Sequence, residues 1–272
     1  LPNSYSMRRS LKDLLDEVDY FEAKLDVTRR WCHDQRFKVG VHSLQRLITP
    51  SAESEALSKI AETAISCLID PIKTEFQSRY GQILDGHIAI VAMGKLGSRE
   101  MTLSSDLDLI FIYSAKEDTV HSDGIISLPC ANYYPRLGQR IINAITAPTS
   151  EGSLYEVDMR LRPSGNTGPI STSLKSFSQY QVKSAWTWEH MALTRARIIY
   201  STSNHFCNQV QDVIKAALVQ KRDLKKLLCD VAEMRTRIAK EKPVSSLWVL
   251  KRIRGGIIDI EFIAQFLLLK KA

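Results

Sequence analysis

The chain has no apolar run long enough to cross a bilayer. Its most hydrophobic stretch, residues 257–269, is interrupted by Asp259, Glu261 and Gln265, whereas a membrane span needs about 20 consecutive apolar residues. A transmembrane helix is therefore excluded, and no membrane partner is expected. The first four residues have neither an initiator Met nor the basic and apolar regions of a signal peptide. We expect the sequence to be an internal piece of a longer protein.

Paired cysteines are also missing. The five cysteines are odd in number, widely spaced and never form a Cys-x-x-Cys pair. A disulfide framework needs an even set, and a cysteine zinc site needs closely spaced pairs, so both are excluded. These absences favour a reducing compartment, and we expect a cytoplasmic protein. The remaining composition, 44% hydrophobic and 25% charged, is typical of folded domains.

The formal net charge of +7 is concentrated at one end of the chain. Residues 201–272 hold 14 Lys and Arg against 7 Asp and Glu, and the first 200 residues are neutral. Such a segment is either a site for acidic partners or a solvated helical face. It lacks the interleaved aromatic residues and glycine repeats of RNA-binding segments, so nucleic acid is not expected as a partner.

The hydrophobic pattern divides the chain into three parts. In residues 1–85 apolar residues recur three and four apart, which predicts helices over 10–47 and 51–79, with a kink or break at Pro71. Residues 86–200 contain strand-like runs and form the predicted catalytic domain. Residues 201–272 return to a helical pattern and form the start of a helical domain, whose last helix follows Gly255 and Gly256.

The middle part predicts a small mixed sheet. Apolar runs at 87–93 and 107–113 are typical of buried strands, and residues 155–162 alternate between apolar and charged side chains, as in a strand with one open face. A helix is expected from about Pro135, because proline is tolerated in a first helical turn. Residues 173–196 and 205–242 are predicted to be helical. The fold class is α+β, a small mixed sheet flanked by helices, with helical segments before and after.

Three acidic residues are predicted to meet at this sheet. Asp106 and Asp108 stand two apart at the start of the second strand, so their side chains project to the same side, roughly 6 to 7 Å apart along the backbone. Asp158 lies on the open face of the third strand. Carboxylates held this close repel each other unless cations lie between them. Such oxygen ligands at a wet edge suit Mg²⁺, and three of them can hold a two-metal site.

A glycine-flanked segment follows the first strand. Residues 94–98 read Gly-Lys-Leu-Gly-Ser, and glycine lets backbone N–H groups approach a phosphate closely. Seven residues, 99–105, separate this segment from the acidic pair. An Asp-x-Asp pair or a Gly-Ser turn alone is a weak sign of function, so the combination is the informative feature.

The combined pattern resembles the DNA polymerase β-like nucleotidyltransferase superfamily, in which a strand ending in Leu-Gly-Ser precedes Asp-Leu-Asp-Leu and a later strand Asp. Longer blocks at 91–111, 154–165, 185–197 and 255–262 are similar to the glutamine synthetase adenylyltransferase family. Its members contain two related halves, one adding AMP to a tyrosine of glutamine synthetase and the other removing it by phosphorolysis. The stretches Tyr-Glu-Val-Asp and Trp-Thr-Trp-Glu-His are closer to the C-terminal, adenylylating half. Gly97-Ser98 stands where the family usually has Gly-Gly.

The resemblance implies a reaction and its partners. Asp106, Asp108 and Asp158 are the expected catalytic residues and the ligands of two Mg²⁺ ions. Asp158 is also expected to deprotonate or position the incoming tyrosine hydroxyl, which attacks the α-phosphorus of ATP and releases pyrophosphate. The expected partners are glutamine synthetase and, through the full-length protein, a PII signalling protein.

The resemblance also implies a nucleotide-binding set. Gly97 and Ser98 are expected to line the triphosphate. Lys95, Arg160 and Arg162 are expected to neutralise charge that develops during transfer. The alternatives left open are an exposed turn lysine at 95 and, for the two arginines, ion pairs with neighbouring glutamates.

Other functions stay open as well. The same carboxylates would serve the reverse reaction, phosphorolytic removal of AMP from adenylylated glutamine synthetase. A more remote alternative is a nucleotidyltransferase acting on nucleic-acid ends, and another is a catalytically silent regulatory module.

Four conspicuous residues are predicted to have a role in the core or at a domain interface rather than in chemistry. These are Trp186, Trp188, Glu189 and His190. Asp259 and Glu261 imitate the Asp-x-Asp spacing, but residues two apart on a helix diverge and cannot share an ion. Arg195 and Arg197 are expected either to contact the nucleotide or to brace the sheet.

Overall fold

The computed structural model describes residues 3–116, 120–246 and 248–272. These residues form ten α-helices and five strands. The helices are α1 (Ser4–Asp16), α2 (Phe21–Leu44), α3 (Pro50–Tyr80), α4 (Gly94–Ser98), α5 (Cys130–Thr146), α6 (Leu174–Lys183), α7 (Thr187–Leu193), α8 (Asn204–Leu218), α9 (Leu224–Glu241) and α10 (Ile257–Lys271). The strands are β1 (His87–Ala92), β2 (Leu107–Ser114), β3 (Val157–Asp158), β4 (Ser171–Ser173) and β5 (Arg197–Ser201).

Three helices precede the sheet. The helical pattern over 10–47 is divided into α1 and α2, because the chain turns at residues 17–20 and both helices pack on α3. α3 begins at Pro50, and the Thr49 side chain caps its first turn. The helix continues through Pro71, so the predicted break is wrong. Ile69 and Ile72 are buried on either side of that proline, and their packing outweighs the one backbone hydrogen bond that proline lacks.

The sheet is mixed, as predicted, with strand order β3-β2-β1-β5 and with β4 also paired to β2. β1 is antiparallel to β2 and β5, whereas β3 and β4 run parallel to β2. One face of β1 and β2 belongs to a hydrophobic cluster that also contains residues of α1, α2, α3 and α5, and the other face belongs to a cluster with α6 and α8. Burial on both faces explains why these two strands are continuously apolar.

Several elements differ from their predicted bounds. The strand expected over 155–162 is reduced to two paired residues, β3, and Arg162 is buried rather than on an open face. α5 begins at Cys130, so Pro135 lies inside it, between the buried residues Tyr134 and Leu137. β4 and β5 have no counterpart in the prediction, because strands of three and five residues are too short to show a clear alternation. The two long helical regions are each divided, into α6 and α7 and into α8 and α9.

The C-terminal helices form a small layer of their own. α9 and α10 pack with α7 around a cluster of Met191, Leu227, Val231 and Leu269. The predicted last helix after Gly256 is confirmed as α10. At the other end, α1 to α3 share one hydrophobic cluster with the sheet, and the three-part division of the chain stays a prediction.

The described residues agree with two of the absences seen in the sequence. No helix among them is both long and apolar enough to cross a membrane. None of the five cysteines, all of which lie in the described part of the chain, is joined in a disulfide.

Arg29 joins the N-terminal helices to the segment that leads into β3. Its side chain is fully buried, and it donates to the carbonyl oxygens of Leu25 at 3.1 Å, Ala144 at 2.9 Å, Ala147 at 2.6 Å and Gly152 at 2.9 Å. Two of these oxygens lie at the end of α5 and one in the loop before β3. A single buried cation, satisfied by four acceptors, therefore fixes three parts of the chain.

Arg29→Met removes these hydrogen bonds but keeps a long apolar stem. We expect the free energy of unfolding to fall by about 3 kcal/mol, because four buried carbonyl oxygens lose a charged donor. Chemical denaturation followed by circular dichroism measures the change. Arg30→Met is the matched control, since the Arg30 side chain is exposed and its ion pair with Glu151 is of a kind that contributes about 0 to 1 kcal/mol. Equal effects of the two substitutions would contradict the role given to Arg29.

Candidate active site

The three acidic residues lie at one edge of the sheet, where β3 meets β2. Asp108 and Asp158 are register partners in the parallel pairing of these strands, and the Leu107 N–H donates to the Glu156 carbonyl oxygen at 2.9 Å. Asp106 directly precedes β2. Two paired residues in β3 are therefore enough to bring Asp106 and Asp158 within electrostatic range of Asp108.

The carboxyl group of Asp108 has a strongly perturbed pKa. Its pKa is raised from 3.8 to about 6, first by burial and then by the negative charges of Asp106 and Asp158. Arg160 and Arg195 oppose this rise. A nearby cation would relieve the repulsion, and carboxyl groups perturbed in this way are concentrated at functional sites.

Asp158 is already paired with a cation, the guanidinium of Arg160. Arg160 Nε lies 3.0 Å from Oδ1 and 2.8 Å from Oδ2, Nη2 also contacts Oδ2, and the Arg160 backbone N–H donates to Oδ1 at 2.8 Å. These hydrogen bonds hold the pKa of Asp158 below its usual range. The Arg160 side chain is 71% exposed, so the pair is a local one at the surface.

The donor set of the three carboxylates fits magnesium. Asp106, Asp108 and Asp158 offer only hard oxygen ligands, which Mg²⁺ prefers, and the pKa of Asp108 is raised by burial and then by the negative charges of Asp106 and Asp158. Over residues 3–116, 120–246 and 248–272, however, no three Asp, Glu, His or Cys side chains are arranged as ligands of one ion. Both oxygens of Asp158 accept hydrogen bonds from Arg160.

The glycine-flanked segment is a short helix, α4, rather than the open turn expected from the sequence. A side chain at Gly94, where φ is +50°, would collide with Oδ2 of Asp108. Gly97 is buried, and a side chain there would collide with the backbone oxygen of Arg195. Gly94 therefore makes room for a carboxylate, and Gly97 is required by packing. That Gly97 lines a triphosphate stays a prediction.

Ser98 and Lys95 are partly exposed on α4. Ser98 Oγ accepts from Arg195 Nη2 at 2.7 Å and lies 2.7 Å from Oε2 of Glu100. Lys95 has no ion pair with any carboxylate in the described part of the chain. Its charge is therefore available to a ligand, and its contact with phosphate stays a prediction.

Arg162 has a structural partner set that the sequence did not indicate. Its guanidinium donates to the carbonyl oxygens of Met159 at 2.8 Å, Asn166 at 3.3 Å and Gly168 at 3.3 Å, and so it holds the loop after β3. The ion pairs with glutamates considered for Arg160 and Arg162 are not formed among the described residues. A contact of Arg162 with nucleotide stays a prediction.

Glu189 and His190 are packing residues, as predicted. Glu189 accepts from the Tyr180 hydroxyl at 2.9 Å and from the Trp186 N–H at 2.8 Å. His190 Nε2 lies 3.0 Å from the Gln181 carbonyl oxygen. The Trp186 side chain is 70% exposed, so it is not part of the core, and its role at a domain interface stays a prediction.

Arg195 is a site residue that sequence reasoning left undecided. The structure places it against Ser98 and within electrostatic range of Asp108. Glu261 pairs with Arg195 at 3.2 Å, whereas Asp259 pairs with Arg235, so the two acidic residues of α10 do not share a partner. No sequence signal could join Arg195 to Ser98, because 97 positions separate them.

Comparison with known proteins assigns the chain to a family. A profile described as glutamate-ammonia ligase adenylyltransferase matches residues 2–212. The chain belongs to this family. Curated relatives are 44% identical over 97% of the chain in Mesorhizobium japonicum, 45% over 98% in Brucella suis and 44% over 100% in Rhodopseudomonas palustris. Each is named a bifunctional glutamine synthetase adenylyltransferase/adenylyl-removing enzyme, and the chain spans 27% of the length of each.

This membership confirms the resemblance seen in the sequence. The matched region, residues 2–212, contains α1 to α3, the whole described sheet and most of α8. The three carboxylates and α4 therefore all lie within the part that the adenylyltransferase family shares.

Asp108→Asn is expected to stabilise the metal-free chain at neutral pH. The pKa of Asp108 in the folded state is about 6, above its usual value of 3.8, so the folded state favours the protonated acid. Protonated Asp108 therefore stabilises the fold below about pH 4, and this stabilisation is lost as the pH rises through about 6. In EDTA, the melting temperature of the variant minus that of wild type should be near zero at pH 4 and several degrees at pH 7.5. Asp34→Asn, on an exposed carboxylate of α2, should show no such rise. The same difference at both pH values would contradict the electrostatic assignment.

Gly94→Ala is expected to weaken magnesium-dependent ATP binding, because the added methyl group displaces the Asp108 carboxylate. Overpacking of about 1 to 3 kcal/mol corresponds to a loss of roughly five- to 150-fold in affinity, which isothermal titration with and without Mg²⁺ measures. Gly40→Ala, in α2, is the control, since a Cβ there meets nothing within 4 Å. It should leave ATP binding unchanged and raise stability by about 0.5 to 1 kcal/mol. Wild-type affinity in Gly94→Ala would count against the site.

Proposed function

We propose that this part of the chain transfers AMP from ATP to a tyrosine hydroxyl of glutamine synthetase and releases pyrophosphate. The observation that carries the proposal is the meeting of Asp106, Asp108 and Asp158 at the pairing of β2 with β3, in a chain of an adenylyltransferase family. Phosphoryl-group chemistry depends mainly on positioning and on electrostatic stabilisation, and a prearranged set of carboxylates beside α4 meets both needs.

The three carboxylates would hold two Mg²⁺ ions, which when bound would neutralise negative charge on the triphosphate. Gly97 and Ser98, on α4, would line that triphosphate. Lys95 supports this arrangement, because it lies on the same helix and has no competing ion pair among the described residues. Arg162 would contribute indirectly, by holding the loop that follows β3.

Asp158 would position the attacking hydroxyl rather than deprotonate it. Before nucleotide binds, its pKa is held below the usual range by hydrogen bonds from Arg160. With Mg²⁺ bound, the charge of the ion would keep the carboxylate a weak base and leave it a hydrogen-bond acceptor. Because Arg160 faces both oxygens, the arginine has to exchange Asp158 for a phosphate oxygen. The tyrosine oxygen then bonds to the α-phosphorus, the bond to the β-phosphate oxygen breaks with its electron pair on pyrophosphate, and the hydroxyl proton passes to water.

The second candidate function is the reverse process, because the relatives are named for adenylyl removal as well as for adenylylation. Orthophosphate would attack the phosphorus of the AMP-tyrosine bond, and ADP and free tyrosine would be released. Both directions would use the same carboxylates, since the same bond to phosphorus is made in one and broken in the other.

We also propose the setting in which the reaction takes place. Within the full-length protein, a PII signalling protein and glutamine would set the direction of the reaction. The enzyme would work in the cytoplasm, which is supported by cysteines that form no disulfide in the described part of the chain.

Transfer of labelled AMP tests the main proposal. The chain is incubated with Mg²⁺, ATP labelled at the α-phosphate, and unmodified glutamine synthetase, and we expect label on a tyrosine of the synthetase. Asp108→Asn should lower the rate by about a hundredfold or more, because transition-state electrostatics are lost, whereas Asp34→Asn should leave it unchanged.

Parallel reactions separate the alternatives. Activity only with orthophosphate and AMP-modified synthetase, measured as ADP release, would assign the reverse direction. Labelling of an oligonucleotide primer would favour a nucleotidyltransferase that acts on nucleic-acid ends. Full activity of Asp108→Asn would refute the proposed site.

A further inference from the structure

Arg195 links the C-terminal helix α10 to α4. It lies in the turn between α7 and β5, and its side chain is 17% exposed. Nη2 donates to Ser98 Oγ at 2.7 Å and to Glu100 Oε2 at 2.6 Å, and Nη1 lies 3.2 Å from Glu261 Oε1. Ion pairs at a largely desolvated arginine are screened less than ion pairs at the surface, so these contacts define where the guanidinium stands.

The backbone around Arg195 holds the same helix. Its carbonyl oxygen occupies the space that a side chain at Gly97 would need. Two residues later, Arg197 donates to the carbonyl oxygens of Gly97 at 3.0 Å and Leu96 at 2.7 Å. Residues 195–197 therefore contact α4 through both backbone and side chains. A displacement of the Arg195 side chain would also displace Ser98.

The two carboxylate partners of Arg195 differ in exposure and in the element that carries them. Glu100 is 62% exposed and stands only two residues from Ser98, whereas Glu261 is 34% exposed and belongs to α10. α10 is held independently of Glu261. Asp259 pairs with Arg235 and accepts the Gly255 N–H at 2.5 Å, and the apolar side of the helix packs on α7 and α9. Glu261 is therefore the fixed anchor of the arginine.

We propose that Glu261 is a positioning residue of the nucleotide site, which acts by orienting Arg195 so that its guanidinium holds Ser98 and faces the triphosphate. The inference rests on the function proposed above and makes the C-terminal helix a part of that site. Without Glu261, the only carboxylate of the described residues that pairs with the Arg195 guanidinium is the exposed Glu100. The guanidinium then has to become ordered when the nucleotide binds. Preorganisation of this kind acts on affinity rather than on the chemical step.

Steady-state kinetics and titration with magnesium-ATP test the inference. Glu261→Gln should raise the KM and the Kd for ATP about three- to tenfold with kcat within about twofold, because one rotamer-rich side chain loses its preorganisation. Glu261→Asp should restore part of the affinity, because it keeps the charge. Glu241→Gln, on an exposed carboxylate at the end of α9, is the matched control and should behave as wild type.

A double-mutant cycle shows whether Glu261 acts through Arg195. Arg195→Gln should weaken ATP binding more than Glu261→Gln does, and the double variant should be no weaker than Arg195→Gln alone, because the two residues form one unit. Circular dichroism confirms that each variant is folded. Wild-type KM in Glu261→Gln, a lowered KM, or additive effects would each overturn the inference.

The same titrations separate this inference from the proposed function. Failure of the wild-type chain to bind magnesium-ATP would refute the proposed function itself. Binding by wild type, its loss in Asp108→Asn, and full retention in Glu261→Gln would refute the role of Glu261 alone.

Discussion

A very short parallel pairing determines the arrangement of the site. Through two residues of β3, Asp158 is held beside Asp108 although both groups are acidic. The repulsion is opposed by the burial of β2 on both faces and by the backbone hydrogen bond from Leu107 to Glu156. The pKa of Asp108 is raised first by burial and then by the charges of Asp106 and Asp158. A destabilised local arrangement that the surrounding fold maintains is typical of functional sites.

Two arginines offset this negative charge in different ways. Arg160 is exposed, stands two residues from Asp158 and binds it locally, so its displacement would disturb little else. Arg195 is mostly buried and joins α4 to α10, so it is a fixed part of the architecture. Arg160 therefore suits a contact that changes during a reaction, and Arg195 suits a contact that must keep its position. Arginine suits both roles, because its planar fork forms several hydrogen bonds at once.

The helices that precede the sheet are part of the support for the site. Arg29 ties α2 to the end of α5 and to the loop before β3. Arg197 pairs with Glu62 of α3 while it donates to the last carbonyl oxygens of α4. Displacement of α2 or α3 would therefore disturb the backbone on both sides of the carboxylates, which explains why one hydrophobic cluster extends from α1 into the sheet.

The local pattern of residues determined much of this protein. Continuous apolar runs predicted the two central strands, and the spacing of Asp106 and Asp108 predicted a shared face. The family blocks predicted membership that the comparisons confirm. The same local logic failed where packing prevailed over propensity: Pro71 and Pro135 lie inside helices because their neighbours are buried, and the alternating stretch 155–162 keeps only two paired residues.

Only the tertiary structure decided which charged groups meet. Arg160 lies on Asp158, Arg162 holds a loop, and Arg195 joins Ser98 to Glu261. The periodicity of a sequence indicates which side of an element a residue occupies, but the partner of a charged side chain depends on which distant elements pack together. For Arg195 those elements are separated by 97 positions along the chain, and only the fold brings them into contact.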